Sequence, residues 1–203
     1  MSSTVLYMSM SLDGFVTGPN PSLDNPLGDG GERLHEWFLP VATEKHHKAA
    51  AQQLRPGVNR DFYDEIMSTG AVIAGRGTFE GAGGWDGDHH DGVPIYILSR
   101  HAEPAWAANW PAVHYTSDLA RAVRDAKDAA GDKNVLVHGA GVIARRALTE
   151  GLLDEMEISL VPILMGDGQR LFEHLGVEQR ALERIRILEG EGGVTHLRYR
   201  IVH

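Results

Sequence analysis

The sequence predicts an α/β fold in which a mainly parallel central sheet, flanked by helices, is closed by an antiparallel hairpin. Three observations predict it. Short apolar runs alternate with helical segments as far as residue 164, the pattern of parallel strands joined by crossover helices. The last two apolar segments, 182–188 and 194–202, alternate apolar with polar residues around Gly190, Gly192 and Gly193, as hairpin strands do. Several of the earlier runs end in glycines or small polar residues, where a strand hands over to a loop or a helix.

Taken in order, residues 5–10 form an apolar run stopped by Asp13-Gly14, which predicts a buried strand and a turn. Residues 18–33 are rich in Gly, Pro, Asn and Asp and read as a long loop of the kind that carries function in compact domains. Residues 41–54 read as a helix stopped by Pro56-Gly57, and residues 61–68 as another, burying Phe62, Ile66 and Met67. A second buried strand, 71–74, runs into Gly75-Arg76-Gly77-Thr78. A Gly/Asp/His loop spans 81–92, a third strand 93–98 ends at Ser99-Arg100, and 113–115 is a short strand. Ser117 suits the N-cap of a helix over 118–130, with Leu119, Ala122, Val123 and Ala126 on one face. A strand at 134–137 runs into His138-Gly139-Ala140-Gly141, a helix at 142–150 stops at Gly151, and 156–164 is the longest strand.

A chain of 203 residues fits one domain, here 1–203, large enough to bury a core without staples. It contains no cysteine, which excludes disulfides, thiolate metal sites and cysteine nucleophiles. Its net charge of −9 argues against nucleic acid or an anionic membrane as partner, since both call for clustered Lys and Arg. No apolar run approaches the roughly 20 residues of a membrane helix, and residues 1–10 lack the pattern of a signal peptide. A soluble, cytoplasmic protein is expected.

The chemistry concentrates at strand ends, where ligands of open parallel sheets bind. Gly139-Ala140-Gly141 between a strand and a helix lets backbone N–H groups approach a pyrophosphate, although a plain turn is the commoner meaning of such glycines. Arg76 and Arg100 each stand one residue beyond a strand, placed to clamp a further phosphate with a planar fork of donors. Thr78 offers a hydroxyl at the following helix start. Gly139-x-Gly141-x-x-Ala144 also matches a Rossmann fingerprint, but the next strand ends in Ile-Leu-Met rather than in the acid that holds a ribose. Asp86, Asp88, His89, His90 and Asp91 are metal-ligand types, as are His46 and His47. A solvated loop and a helix face are the favoured readings, and no metal is expected. There is no Gly-x-Ser-x-Gly elbow and no P-loop.

Residues 72–80, Val-Ile-Ala-Gly-Arg-Gly-Thr-Phe-Glu, resemble a strand and helix start of dihydrofolate reductases. Residues 97–100 resemble the next strand end of that family, and residues 137–143 its glycine pair. Residues 8–14 and 162–168, Met-Ser-Met-Ser-Leu-Asp-Gly and Pro-Ile-Leu-Met-Gly-Asp-Gly, are closer to the C-terminal reductase domain of bifunctional riboflavin-biosynthesis proteins and its stand-alone relatives. The resemblance spans nearly the whole chain. It implies a three-layer α/β/α dihydrofolate-reductase-like fold and an NADPH-dependent reductase of a small pterin-, pyrimidine- or flavin-precursor-like substrate. It also implies a homodimer. The cofactor contacts it implies are Gly75, Arg76, Thr78, Phe79, Ser99, Arg100, Gly139, Ala140, Gly141, Val142 and Ile143. Asp61 is the candidate proton donor, with Asp13 the second and a possible substrate contact; a helix-start acid and a turn carboxylate are the plain alternatives. Trp37, Phe38 and Tyr63 are candidate walls for a planar ring, or simply core. A non-catalytic ligand-binding protein on the same fold is the rival reading.

Overall fold

The structure, a computed structural model, describes residues 2–38, 54–176 and 179–202. The first strand, β1 (Thr4–Ser11), sits inside the sheet, and its run of apolar residues is long because both of its faces are covered. A short β2 (Phe15–Thr17) follows the Asp13-Gly14 turn, and Gly31–His35 is a 3-10 turn. Helix α1 (Val58–Ile66) starts three residues earlier than the sequence suggests. Then come β3 (Ala71–Gly75), the short α2 (Arg76–Gly81), β4 (Ile95–Leu98) and β5 (Val113–Thr116). Helix α3 (Leu119–Ala130) buries Leu119, Ala122, Val123, Ala126 and Ala130, the spacing of one helical face. Its N-cap is Asp118, whose carboxylate accepts from the Arg121 backbone N–H at 2.9 Å, rather than the neighbouring Ser117.

The chain continues through β6 (Val135–His138), α4 (Val142–Thr149), β7 (Glu155–Val161), the two-residue β8 (Gln169–Arg170), β9 (Leu182–Glu189) and β10 (Thr195–Ile201). β7 ends three residues short of the predicted 164, because Leu12 and Ile163 are joined by a loop hydrogen bond rather than by the ladder. β2 and β8 pair with each other and had no signal in the sequence, being too short to alternate. The predicted helix over 41–54 and the His46-His47 pair lie outside the described residues, apart from Leu54.

The eight-stranded sheet has the order β5-β4-β3-β6-β1-β7-β10-β9. β5 through β7 are parallel, and the β9–β10 hairpin attaches to β7 antiparallel. This is the α/β arrangement expected, and it differs from the 3-2-1-4-5-6 order of a Rossmann domain. α3 and α4 cover one face with Leu6, Ile73, Val137 and Met156 beneath them. On the other face Tyr7, Phe62, Val72, Ala74, Phe79 and Ile97 pack together, with α1 and α2 above. Among the described residues no helix is long and apolar enough to cross a membrane.

Candidate functional site

A cleft of about 980 Å³ opens along the carboxyl ends of β4, β3, β6, β1 and β7. These are five neighbouring strands, so it spans about 19 Å at the usual strand spacing. Its volume lies at the upper end of the range for small-molecule sites.

One end is built from the loops after β3, β4 and β6. Gly75, Arg76, Gly77, Thr78, Ser99, Arg100, Gly139, Ala140, Val142 and Ile143 all line it. Arg76 forms a 3.5 Å ion pair with Glu80 one helical turn on and keeps 44% of its side chain exposed. Arg100 stands at the apex of a turn in which the Ser99 hydroxyl accepts from the His101 N–H and donates to the His101 carbonyl, both at 2.9 Å. The two guanidiniums therefore border one cleft. Gly139 has φ 116°, and a Cβ there would lie 2.5 Å from the Thr78 hydroxyl, so only glycine lets these two loops meet. The result is a backbone cradle with a hydroxyl on its rim and arginines beside it, a donor set that fits a phosphate-bearing dinucleotide.

The other end is aromatic. Trp37, Phe38, Phe62 and Tyr63 line it, with Ser9 and Ser159 on its floor. Trp37 and Phe62 have centroids 5.6 Å apart, and Phe38 and Tyr63 5.5 Å. Between the two ends stands His138, last residue of β6, with its ring 5.4 Å from both Trp85 and His89. Trp85 sits in a left-handed backbone conformation, φ 50° and ψ 29°, and its indole N–H is buried with no hydrogen-bond partner among the described residues. The Thr17 hydroxyl, also on the cleft wall, is likewise buried without one.

The floor of the aromatic end is held by contacts that no short motif announces. His196 is fully buried and stacks on Phe62 at 3.9 Å. Its Nδ1 is 2.9 Å from the Ser159 hydroxyl and its Nε2 is 3.1 Å from Asn59 Oδ1. Burial, with a smaller contribution from Arg186, holds its pKa down at about 4, so the ring is neutral. Glu191 caps α1 by accepting from the Val58 and Asn59 backbone N–H groups, each at 2.9 Å.

Four expected residues stand elsewhere. Phe79 is fully buried among Trp85, Trp106, Trp110 and Tyr115, so it is core beneath the cleft rather than a cofactor contact. Gly141 caps α4 off the cleft wall, beneath Gln169. Asp61 is exposed in the first turn of α1 and does not line the cleft. Asp13 also lies off the wall. Its carboxylate accepts from Ser11 Oγ at 2.6 Å and from the backbone N–H groups of Met165 and Gly166, pinning the loop after β7. The Ser11 bond, with those from the backbone, holds its pKa at about 2, so it stays ionised and is no proton donor at neutral pH. His89 and His90 are buried rather than solvated. Among the described residues no group of three or more His, Asp or Glu side chains is arranged to hold a metal ion.

Residues 3–195 match the family model described as the RibD C-terminal domain. No curated protein matches the chain. Among solved structures, a putative riboflavin biosynthesis protein from Shewanella sp. PV-4 superposes with a TM-score of 0.69 at 21% identity, covering 99% of each chain. A pyrimidine reductase-like protein from Corynebacterium diphtheriae gives 0.60 at 15% identity, over all of this chain and 92% of that one. RibD of Acinetobacter baumannii gives 0.61 at 17% identity, with this chain spanning 59% of its length.

Proposed function

The chain belongs to the RibD C-terminal domain family, and on that footing we propose that it is an NADPH-dependent reductase of a small heterocyclic substrate of pterin, pyrimidine or flavin-precursor type. The observation that carries this reading is the single cleft whose two ends differ in chemistry. Arg76, Arg100, Thr78 and Gly139 gather at one end, and four aromatic side chains at the other.

NADPH would lie with its pyrophosphate over the loop at Gly139-Ala140 and its 2′-phosphate between Arg76 and Arg100, and when bound it supplies the hydride. The protein's part is to hold the substrate ring against the aromatic wall, exclude water and deliver one proton to the heteroatom of the reduced C=N or C=O bond. Asp13 and Asp61 are not placed for that last task. His138, at the junction of the two ends, is the ionisable side chain we assign to it.

The test is to follow NADPH oxidation over a panel of pterins, pyrimidines and flavin precursors, with cofactor affinities taken from intrinsic tryptophan fluorescence. Turnover of one ring class with NADPH strongly preferred over NADH is the expected result. Equal affinity for the two cofactors removes the 2′-phosphate assignment. NADPH binding without turnover of any ring favours a non-catalytic binding protein.

A further inference from the structure

Ser9 and Ser159 are register partners on adjacent parallel strands, β1 and β7, and both line the aromatic end of the cleft. Their residual exposures are 7% and 2%, so each hydroxyl sits at the bottom of the site. They look interchangeable, but their hydrogen-bond polarity is opposite.

The polarity of Ser159 is set from Asn59 outward. Asn59 spends both amide protons on backbone carbonyls, those of Trp37 at 3.2 Å and Glu191 at 3.1 Å. Its Oδ1 therefore faces His196 and can only accept, which puts the imidazole proton on Nε2. In the neutral ring Nδ1 is then bare, and it accepts the Ser159 hydroxyl proton. What Ser159 has left for a ligand is a lone pair. Burial keeps His196 neutral, as this arrangement requires, and the tautomer itself is set by Asn59. Ser9 is set the other way. The Trp37 indole N–H, which can only donate, points at Ser9 Oγ from 2.9 Å. Ser9 keeps its own proton, and among the described residues no side-chain or backbone group takes it.

We propose that Ser9 and Ser159 are a polarised pair that reads the edge of the substrate ring, Ser9 donating to a ring carbonyl and Ser159 accepting from an N–H. Neighbouring strands are roughly 4.8 Å apart, a separation that an oxo group and an N–H on one edge of a six-membered lactam ring can bridge. A ring of the wrong pattern leaves the Ser9 proton or the remaining Ser159 lone pair unsatisfied, and that gives the pair its discrimination. The inference rests on the proposed ring-reductase function but concerns only how the ring is chosen.

Three pteridines separate the contributions. Pteridine-2,4-dione carries both carbonyls and N–H groups, its 1,3-dimethyl derivative keeps only the carbonyls, and 2,4-diaminopteridine keeps N–H donors without a carbonyl. Each is titrated by fluorescence against the protein saturated with NADP+. Wild-type protein should bind the dione about tenfold more tightly than either of the others, which is about 1.4 kcal/mol. Ser159→Ala should weaken the dione and the diamino ring while leaving the dimethyl ring unchanged. Ser9→Ala should weaken the dione and the dimethyl ring while leaving the diamino ring unchanged. The wild-type ligand series needs no variant, so a misfolded mutant cannot decide the matter. Wild-type binding of all three rings with equal affinity, or variants that weaken all three alike, overturns the pair while leaving the reductase reading intact. Protein that binds NADP+ but none of the three rings, and turns over no pterin, pyrimidine or flavin precursor of the wider panel, overturns both.

Discussion

Gly190 packs so closely on Asn59 that a Cβ at residue 190 would lie 2.0 Å from the Asn59 amide oxygen. The turn between β9 and β10 thus touches the helix that roofs the cleft at the side chain that orients His196. The same Cβ would sit 2.7 Å from Val194 Cγ1 and 3.1 Å from His196 Nε2, so no single neighbour can yield to admit it. Gly190→Ala is expected to cost about 1–3 kcal/mol, the range for overpacking, measured by denaturant unfolding. Pteridine binding should weaken because Asn59 is displaced, while NADPH affinity stays unchanged. An alanine variant with wild-type stability and ring affinity would show that the turn is free to move.

Arg100 makes no ion pair among the described residues, whereas Arg76 already pairs with Glu80. An exposed pair of this kind is worth less than about 1 kcal/mol, so Arg76 can be drawn to a phosphate at small cost. Arg100→Ala should weaken NADPH by about 10- to 100-fold, the scale of a charge-assisted hydrogen bond in a partly exposed site, and NADH by much less. Arg76→Ala should act in the same direction but less strongly, because Arg76 must give up part of its pairing with Glu80 to reach a phosphate. Parallel titrations with the two cofactors check both variants, and equal losses for NADPH and NADH would remove the arginines from the 2′-phosphate.

How much of this site is legible in the sequence depends on how far apart its parts lie along the chain. Gly75-Arg76-Gly77-Thr78 and Ser99-Arg100 are local signals, a strand handing over to a loop, and the structure places all six on the cleft wall, with Phe79, next after Thr78, buried beneath it. Phe79 departs from its expected place because a motif fixes backbone position and not the face on which a side chain lands. Trp37, Phe38 and Tyr63, the expected ring walls, do line the aromatic end, but its polar floor is illegible for a different reason. Ser9 meets Ser159 only through strand register, and Asn59 meets His196 across 137 residues. Ser159 and His196 sit in runs whose alternation announces a strand and nothing more. Asp13 carried a real signal, the Asp-Gly turn, but its partners Met165 and Gly166 lie 152 and 153 residues away and decide its role.

His138→Asn and Asp13→Asn separate a group that moves a proton from one that holds a loop. General acid catalysis contributes roughly 10²- to 10⁴-fold, so His138→Asn should lower kcat by at least about 100-fold with NADPH affinity kept. It should also remove an ionisation from the pH–rate profile. Asp13→Asn removes an acceptor of backbone N–H groups. Its pKa is depressed, so its stabilising effect is present above about 3.8 and fades as pH falls toward about 2. At neutral pH the variant should therefore melt at lower temperature while its pH–rate profile keeps the wild-type shape. A flattened profile for Asp13→Asn together with an unaltered one for His138→Asn would reverse the two roles.

Beneath α1 two guanidiniums meet three carboxylates. Arg186 bonds Glu65 at 2.7 Å and Glu157 at 3.0 Å, and Arg198 bonds Glu65 at 2.5 Å and Glu155 at 2.7 Å. With every group ionised the cluster would carry a net negative charge. Glu157 is the member with no exposure, and among the described residues its Oε1 has no hydrogen-bond partner, so it is the carboxylate of the cluster most disposed to hold a proton. Burial pushes its pKa up to about 7 against the pull of both arginines. The folded protein then binds a proton that the unfolded chain releases near 4.5, so the stability this group contributes is complete below that pH and is lost as pH rises through about 7. Glu157→Gln, an isostere of the protonated form, should match wild type near pH 4.5. Above that it should gain relative stability by at most about 1.4 kcal/mol per pH unit, levelling off beyond pH 7. Urea unfolding of both proteins at a series of pH values measures the difference directly. If Glu157→Gln is instead less stable throughout, and most so at alkaline pH, Glu157 is an ionised partner of Arg186 and Arg198, and the proton belongs elsewhere in the cluster.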